Sequence, residues 1–113
     1  MAGEGTGSAV DTIARLEATI AARRDASPDE SYVARLRAAG LPAMAQKVGE
    51  EATESVIAAL AGSKEDLTAE SADLLFHLLV LLAERGIAFD AVLTELDRRE
   101  GLSGLAEKAS RKE

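Results

Sequence analysis

Between Ser63 and Gly86 the chain starts polar and then runs Leu74, Leu75, Phe76, Leu78, Leu79, Val80, Leu81 and Leu82 with little polar interruption. At about 100° per residue these side chains point in nearly every direction around a helix, and a helix that is apolar all round must be buried. Ser63, with Asp66 three residues on, has the spacing of a capping box, and Gly86 suits the exit. The pattern predicts a central helix over Lys64–Arg85. A chain of 113 residues supports one domain and leaves roughly a third of its unfolded surface exposed after folding. One copy therefore has few helices with which to enclose such a segment. This predicts that the helix is covered by self-association, as a homodimer.

The other segments also read as helices. Apolar residues make up 47% of the chain but aromatics only 3%, and the apolar content is mostly Ala and Leu, the strongest helix formers. No β-branched run reads as a strand. Val10, Ile13, Leu16 and Ile20 form one stripe of a helix over Ala9–Arg24. Ser27 as a cap and Pro28 at the first position predict a second helix over Pro28–Ala39, before Gly40. A third spans Pro42–Ala61, and a fifth Asp90–Glu100. The fold class is all-α: a small helical bundle around an antiparallel central helix pair, completed by homodimerisation. Residues 1–8, rich in glycine, read as a disordered extension. Residues 9–101 form the domain and 102–113 a polar tail. The opening MAGEGTG is no P-loop, because no Gly-Lys-Ser/Thr follows.

Charge and composition exclude several functions. The net charge of -7 argues against a nucleic-acid partner, which needs a basic surface. With no cysteine, thiolate metal sites and thiol catalysis are excluded. The longest apolar run, Leu78–Ala83, is far short of the ~20 residues of a membrane span. Without a signal-like N-terminus, the expected location is cytoplasmic, with no membrane partner.

The chemistry lies in two acidic stripes. Glu70, Asp73 and His77 follow one another at offsets of three and four, so they share one face of the otherwise apolar helix. On the preceding helix Lys47, Glu50, Glu51 and Glu54 fall within about a quarter-circle. Only Gly62 and Ser63 separate the two helices, which makes them antiparallel neighbours. Glu54 and Glu70 each lie about two turns from that link, so the pairs Glu51/Glu54 and Glu70/Asp73 face each other. Carboxylates this close repel one another and resist desolvation. A divalent cation resolves the conflict, and an all-oxygen donor set favours Mg²⁺, with Mn²⁺ as a substitute. A di-iron centre would need Glu-x-x-His on two helices; here the pairs are Glu-x-x-Glu and Glu-x-x-Asp. Mg²⁺ bound this way completes its shell with water and phosphates, which points to phosphoanhydride hydrolysis. The plainer readings carry weight too. Glu50 and Glu51 alone are most simply a solvated face, Lys47 a partner of Glu51, and His77 a core histidine that could orient Asp73.

At these residues the chain resembles a known family. Glu50-Glu51-Ala52-Thr53-Glu54, then Glu70-Ser71-Ala72-Asp73, is similar to the Glu-Glu-x-x-Glu and Glu-x-x-Asp pattern of the all-α nucleoside triphosphate pyrophosphohydrolases. SYVARL (31–36), Lys47-x-Gly49-Glu50-Glu51, ADLLFHLLVLL (72–82), Gly-Ile-x-x-Asp (86–90) and RREGLSGLAEKASRK (98–112) resemble its phosphoribosyl-ATP pyrophosphohydrolase branch. The resemblance implies an α-helical dimer that hydrolyses 1-(5-phosphoribosyl)-ATP to phosphoribosyl-AMP and pyrophosphate, the second step of histidine biosynthesis, with Mg²⁺. It makes Glu51, Glu54, Glu70 and Asp73 the metal ligands and Lys47 a contact to substrate phosphate. Glu50 becomes a further ligand or a water-positioning base, and Glu50 and Glu54 are the catalytic candidates. The cyclohydrolase domain often fused to this branch is absent from the 113 residues.

Two other functions compete: a house-cleaning pyrophosphohydrolase of the same superfamily, and a helical dimerisation module without catalysis. The resemblance beyond the acidic motif favours the histidine-pathway reaction over the first. A charge cluster beside a buried helix costs stability unless it binds something, which disfavours the second. Sedimentation at micromolar concentration should show a dimer; a monomer would remove the reason given for an apolar helix without a polar face.

Overall fold

Five helices, with no strand among the described residues, arise in the order α1 (Ala9–Arg23), α2 (Tyr32–Ala39), α3 (Leu41–Ala61), α4 (Lys64–Glu84) and α5 (Phe89–Arg99). The computed structural model describes residues 9–100, with Lys108 and Arg111 beyond them. The expectations for residues 1–8, and for the 102–113 tail apart from those two exposed side chains, lie outside the described residues. No helix among the described residues is long and apolar enough to cross a membrane.

The α3–α4 hairpin is the dominant packing in the chain. The capping box that starts α4 is formed in both directions. Asp66 N–H donates to Ser63 Oγ at 3.0 Å, and Ser63 N–H donates to the Asp66 carboxylate at 3.0 Å. Ile20, Val33, Leu36, Met44, Leu79 and Val80 form the core, drawn from all of the first four helices. Burying side chains of this size contributes about 1.5–3 kcal/mol each. On α4 only His77, Leu79 and Val80 are fully buried. Leu75 remains 42% exposed, and on α3 Ile57 and Leu60 are 59% and 84% exposed. One copy of the chain does not enclose its central helix pair.

The start of α2 corrects the sequence reading. The helix begins at Tyr32, not Pro28, and its cap is Ser31. Ser27 instead closes a turn: its Oγ accepts from Asp29 N–H at 3.2 Å, and its carbonyl accepts from Glu30 and Ser31. Ser31 is the better cap because its hydroxyl serves two partners. It accepts from Ala34 N–H at 3.1 Å and donates to the Arg23 carbonyl at 3.2 Å, tying α2 to the end of α1. A similar long-range contact moves the start of α5 back from Asp90 to Phe89. Ala88 has no capping side chain, and Glu17 of α1 accepts the Phe89 N–H at 2.8 Å in its place. The remaining ends differ by a residue, as fraying helix termini do.

Gly40 joins α2 to α3 with φ 101° and ψ 165°, a region open essentially only to glycine. Its N–H closes α2 on Leu36 and Arg37 carbonyls, while its own carbonyl accepts from Met44 N–H at 3.1 Å and opens α3. Gly40→Ala should lower the unfolding free energy by about 1–3 kcal/mol, measured by urea denaturation. An unchanged midpoint would mean the link tolerates another conformation.

Candidate active site

The antiparallel register of α3 and α4 sets which acids meet. Glu54 reaches Glu70, near the link, and Glu51 reaches Glu70 and Asp73, further from it. One carboxylate oxygen from each of Glu51, Glu70 and Asp73 lies within 4.8 Å of the other two. Glu51 is only 6% exposed, and Asp73 faces outward. The Oε1 atoms of Glu51 and Glu70 are buried and have no hydrogen-bond partner among the described residues. A buried acceptor without a donor bears its full desolvation penalty, and here two of them belong to acids that also repel each other.

Burial first, and then the hydrogen bond and charge of Glu54 and the charges of Asp73 and Glu51, hold the Glu70 carboxyl above its ordinary 4.5. Lys47 is the nearby cation on α3, with its Nζ 3.6 Å from both Glu51 Oε2 and Glu50 Oε1. Tyr32 most of all, then Glu50 and Glu51, raise its pKa against the opposing cost of burial. One ammonium does not neutralise Glu50, Glu51, Glu70 and Asp73 together. An all-oxygen donor set with two unpaired buried oxygens fits a hard divalent cation.

Glu50 stands apart from that set. It accepts from Gln46 Nε2 at 2.9 Å, and this bond first, then Lys47, holds its carboxyl below 4.5 despite burial. His77 is buried beneath the cluster, yet it does not touch the Asp73 carboxylate. Its Nδ1 meets the Asp73 backbone carbonyl at 2.8 Å, and its Nε2 meets the Tyr32 hydroxyl at 2.9 Å. The Tyr32 ring is stacked on Phe76 with centroids 6.1 Å apart, and both rings meet the imidazole edge-on. Tyr32 was not among the candidate residues read from the sequence. It lies in the SYVARL segment (31–36) that carries part of the family resemblance, and that was the available signal.

Two openings adjoin the acids. A groove of about 350 Å³ runs from Glu54 and Glu70 over Ile57, Ala58 and Ala61 to the helix link. A shallower recess of about 600 Å³ lies against Gln46, Gly49, Glu50, Thr53 and Glu54. Glu54 borders both, so a ligand in either one reaches the carboxylates.

A family model described as phosphoribosyl-ATP pyrophosphohydrolase matches residues 13–100, a span that includes every acid of the cluster. A phosphoribosyl-ATP pyrophosphatase of Erythrobacter litoralis is 72% identical over 102 residues, which cover 90% of this chain and 98% of that protein. Proteins of the same name from Rhizorhabdus wittichii and Novosphingobium aromaticivorans are 66% and 62% identical, over 88% and 89% of this chain and 94% of each relative. The match runs nearly end to end in these relatives, and the chain belongs to the phosphoribosyl-ATP pyrophosphohydrolase family.

Proposed function

We propose that this chain hydrolyses the α–β phosphoanhydride of 1-(5-phosphoribosyl)-ATP, releasing phosphoribosyl-AMP and pyrophosphate in the second step of histidine biosynthesis. Family membership and the names of its relatives support the substrate. The observation that carries the chemistry is the convergence of Glu51, Glu70 and Asp73, with two buried oxygens left unpaired. Glu51, Glu54, Glu70 and Asp73 hold Mg²⁺, or Mn²⁺ in its place. When bound, the ion offsets the charge of the acids and of the triphosphate and polarises the phosphoryl oxygens.

The chain's own groups divide the remaining work. Lys47 contacts a substrate phosphate with its ammonium, which its surroundings keep charged. Glu54 borders both openings and so stands between the other carboxylates and the attacking water. Glu50, which Gln46 and Lys47 hold beside the same recess, serves as the water-positioning base. His77 supports the Asp73 end of the cluster from below. A second copy of the chain covers the exposed Ile57, Leu60 and Leu75 side chains, giving a homodimer in the cytoplasm.

The direct test offers purified protein phosphoribosyl-ATP and a panel of nucleoside triphosphates, with and without Mg²⁺. Pyrophosphate and phosphoribosyl-AMP should appear in equal amounts, and only when phosphoribosyl-ATP and the metal are both present. Preference for an ordinary triphosphate would contradict the substrate, and no turnover at all would contradict the enzyme. Glu54→Gln should lower kcat by about a hundredfold or more and leave the circular dichroism spectrum unchanged; near-normal turnover would remove Glu54 from the mechanism.

Stability of the metal-free protein should follow the protonation of Glu70. Its carboxyl sits above the ordinary 4.5 when folded, so the folded chain binds this proton more tightly than the unfolded chain. The group therefore opposes folding progressively as pH rises from 4.5 through its folded range. Metal-free Glu70→Gln should melt close to the wild type near pH 4.5 and above it at pH 7. A wild type that is the more stable at pH 7 would mean that Glu70 is satisfied without a cation.

A further inference from the structure

Gly49 stands well inside α3, the helix that carries Glu50, Glu51 and Glu54. Only proline is a poorer helix former, so a glycine at this position weakens the element on which the site is built. The chain itself supplies no reason for it. Among the described residues, positive φ occurs at Gly40 and Gly86 and not at Gly49. A Cβ added at Gly49 would meet nothing within 4 Å, so no contact within the chain needs the space either. The residue is exposed and lines the recess of about 600 Å³ together with Gln46, Glu50, Thr53 and Glu54. The missing side chain therefore serves a body outside the chain, in a recess that Glu54 joins to Glu70.

The volume of the recess lies in the range of small-molecule sites, and its lining decides what fits. Two carboxylates and no cation border it, which repels a pyrophosphate and suits an uncharged part of a ligand. Gln46 donates one amide N–H to Glu50 at 2.9 Å; its second N–H and its carbonyl have no partner among the described residues. The Thr53 hydroxyl donates to the Gly49 carbonyl at 3.1 Å, and at Gly49 the wall is bare helix backbone. A surface without a side chain, beside an amide donor–acceptor pair, matches a flat heterocycle. In 1-(5-phosphoribosyl)-ATP the purine N1 is substituted, so N7 and the exocyclic N6 form its free polar edge, the edge with which a Gln amide pairs. In the groove on the other side of Glu54 the only polar side chains are carboxylates, and Ile57 within it is covered in the proposed dimer. We propose that Gly49 is a specificity-determining residue: the substrate's purine rests on α3 where Gly49 leaves the backbone bare, with its N6/N7 edge toward Gln46. This rests on the phosphoribosyl-ATP reading above.

Gly49→Ala tests it, because the added methyl enters the recess without touching the rest of the chain. Its urea midpoint should rise, as helix propensity alone requires. At saturating Mg²⁺ the KM for phosphoribosyl-ATP should nevertheless rise about tenfold, the scale of one misplaced carbon in a fitted site. Inhibition by phosphoribosyl-AMP, which keeps the purine, should weaken by the same factor, and inhibition by pyrophosphate, which lacks it, should not change. An unchanged KM overturns the proposal. So does equal weakening of pyrophosphate, because the methyl would then be disturbing the phosphate side of the site. A lower urea midpoint overturns it by showing that the fold itself needs the glycine, and an altered sedimentation coefficient by giving the space to a second copy of the chain. Wild-type turnover is the reference in each arm. An inactive wild type overturns the functional reading along with this one, whereas an active wild type with an indifferent variant overturns this one alone.

Discussion

Repulsion among carboxylates across the α3–α4 hairpin is the constraint to which the rest of the molecule answers. One carboxylate oxygen from each of Glu51, Glu70 and Asp73 lies within 4.8 Å of the other two, and Glu51 and Glu70 each keep a buried oxygen with no partner among the described residues. Left alone, these groups would favour separating the two helices or rotating the acids into water. Apolar packing prevents both. Met44 of α3 and Leu79 and Val80 of α4 sit in one core with residues of α1 and α2, and the reciprocal Ser63–Asp66 cap starts α4 two residues after α3 ends. The hairpin holds an electrostatically unfavourable arrangement by hydrophobic burial, and a hard cation converts that arrangement into a binding site.

The same hairpin was the most legible part of the sequence. A two-residue link leaves no alternative to antiparallel neighbours, and 3.6-residue periodicity then decides which acids face each other. Local signals of that kind do not depend on distant residues. The ends of α2 and α5 were not readable in this way. Ser27-Pro28 is a sound local start, but Ser31 displaces it by bonding to Arg23, eight residues back along the chain. The N–H of Phe89, the first residue of α5, is accepted by Glu17, 72 residues away. Both outcomes depend on tertiary neighbours that no local pattern encodes.

Within the site, spacing found the acids but not their division of labour. Glu50 and Glu51 are adjacent and look alike in the sequence. The helix turns Glu51 into the cluster, where one of its oxygens stays unpaired, and leaves Glu50 exposed on Gln46 and Lys47. His77 was readable as a neighbour of Asp73 four residues on, but its bond goes to the backbone of Asp73. Its second partner, Tyr32, comes from α2 and has no sequence spacing to betray it. Contacts between helices that are distant in the chain set the fine structure of the site.

The claim on which everything else rests is that Glu51, Glu70 and Asp73 form a cation site. Diffraction at the manganese absorption edge from crystals grown with MnCl₂ tests it most directly. The expected result is an anomalous peak within coordination distance of all three carboxylates. A fully occupied peak elsewhere, or none at a concentration that supports turnover, would contradict it.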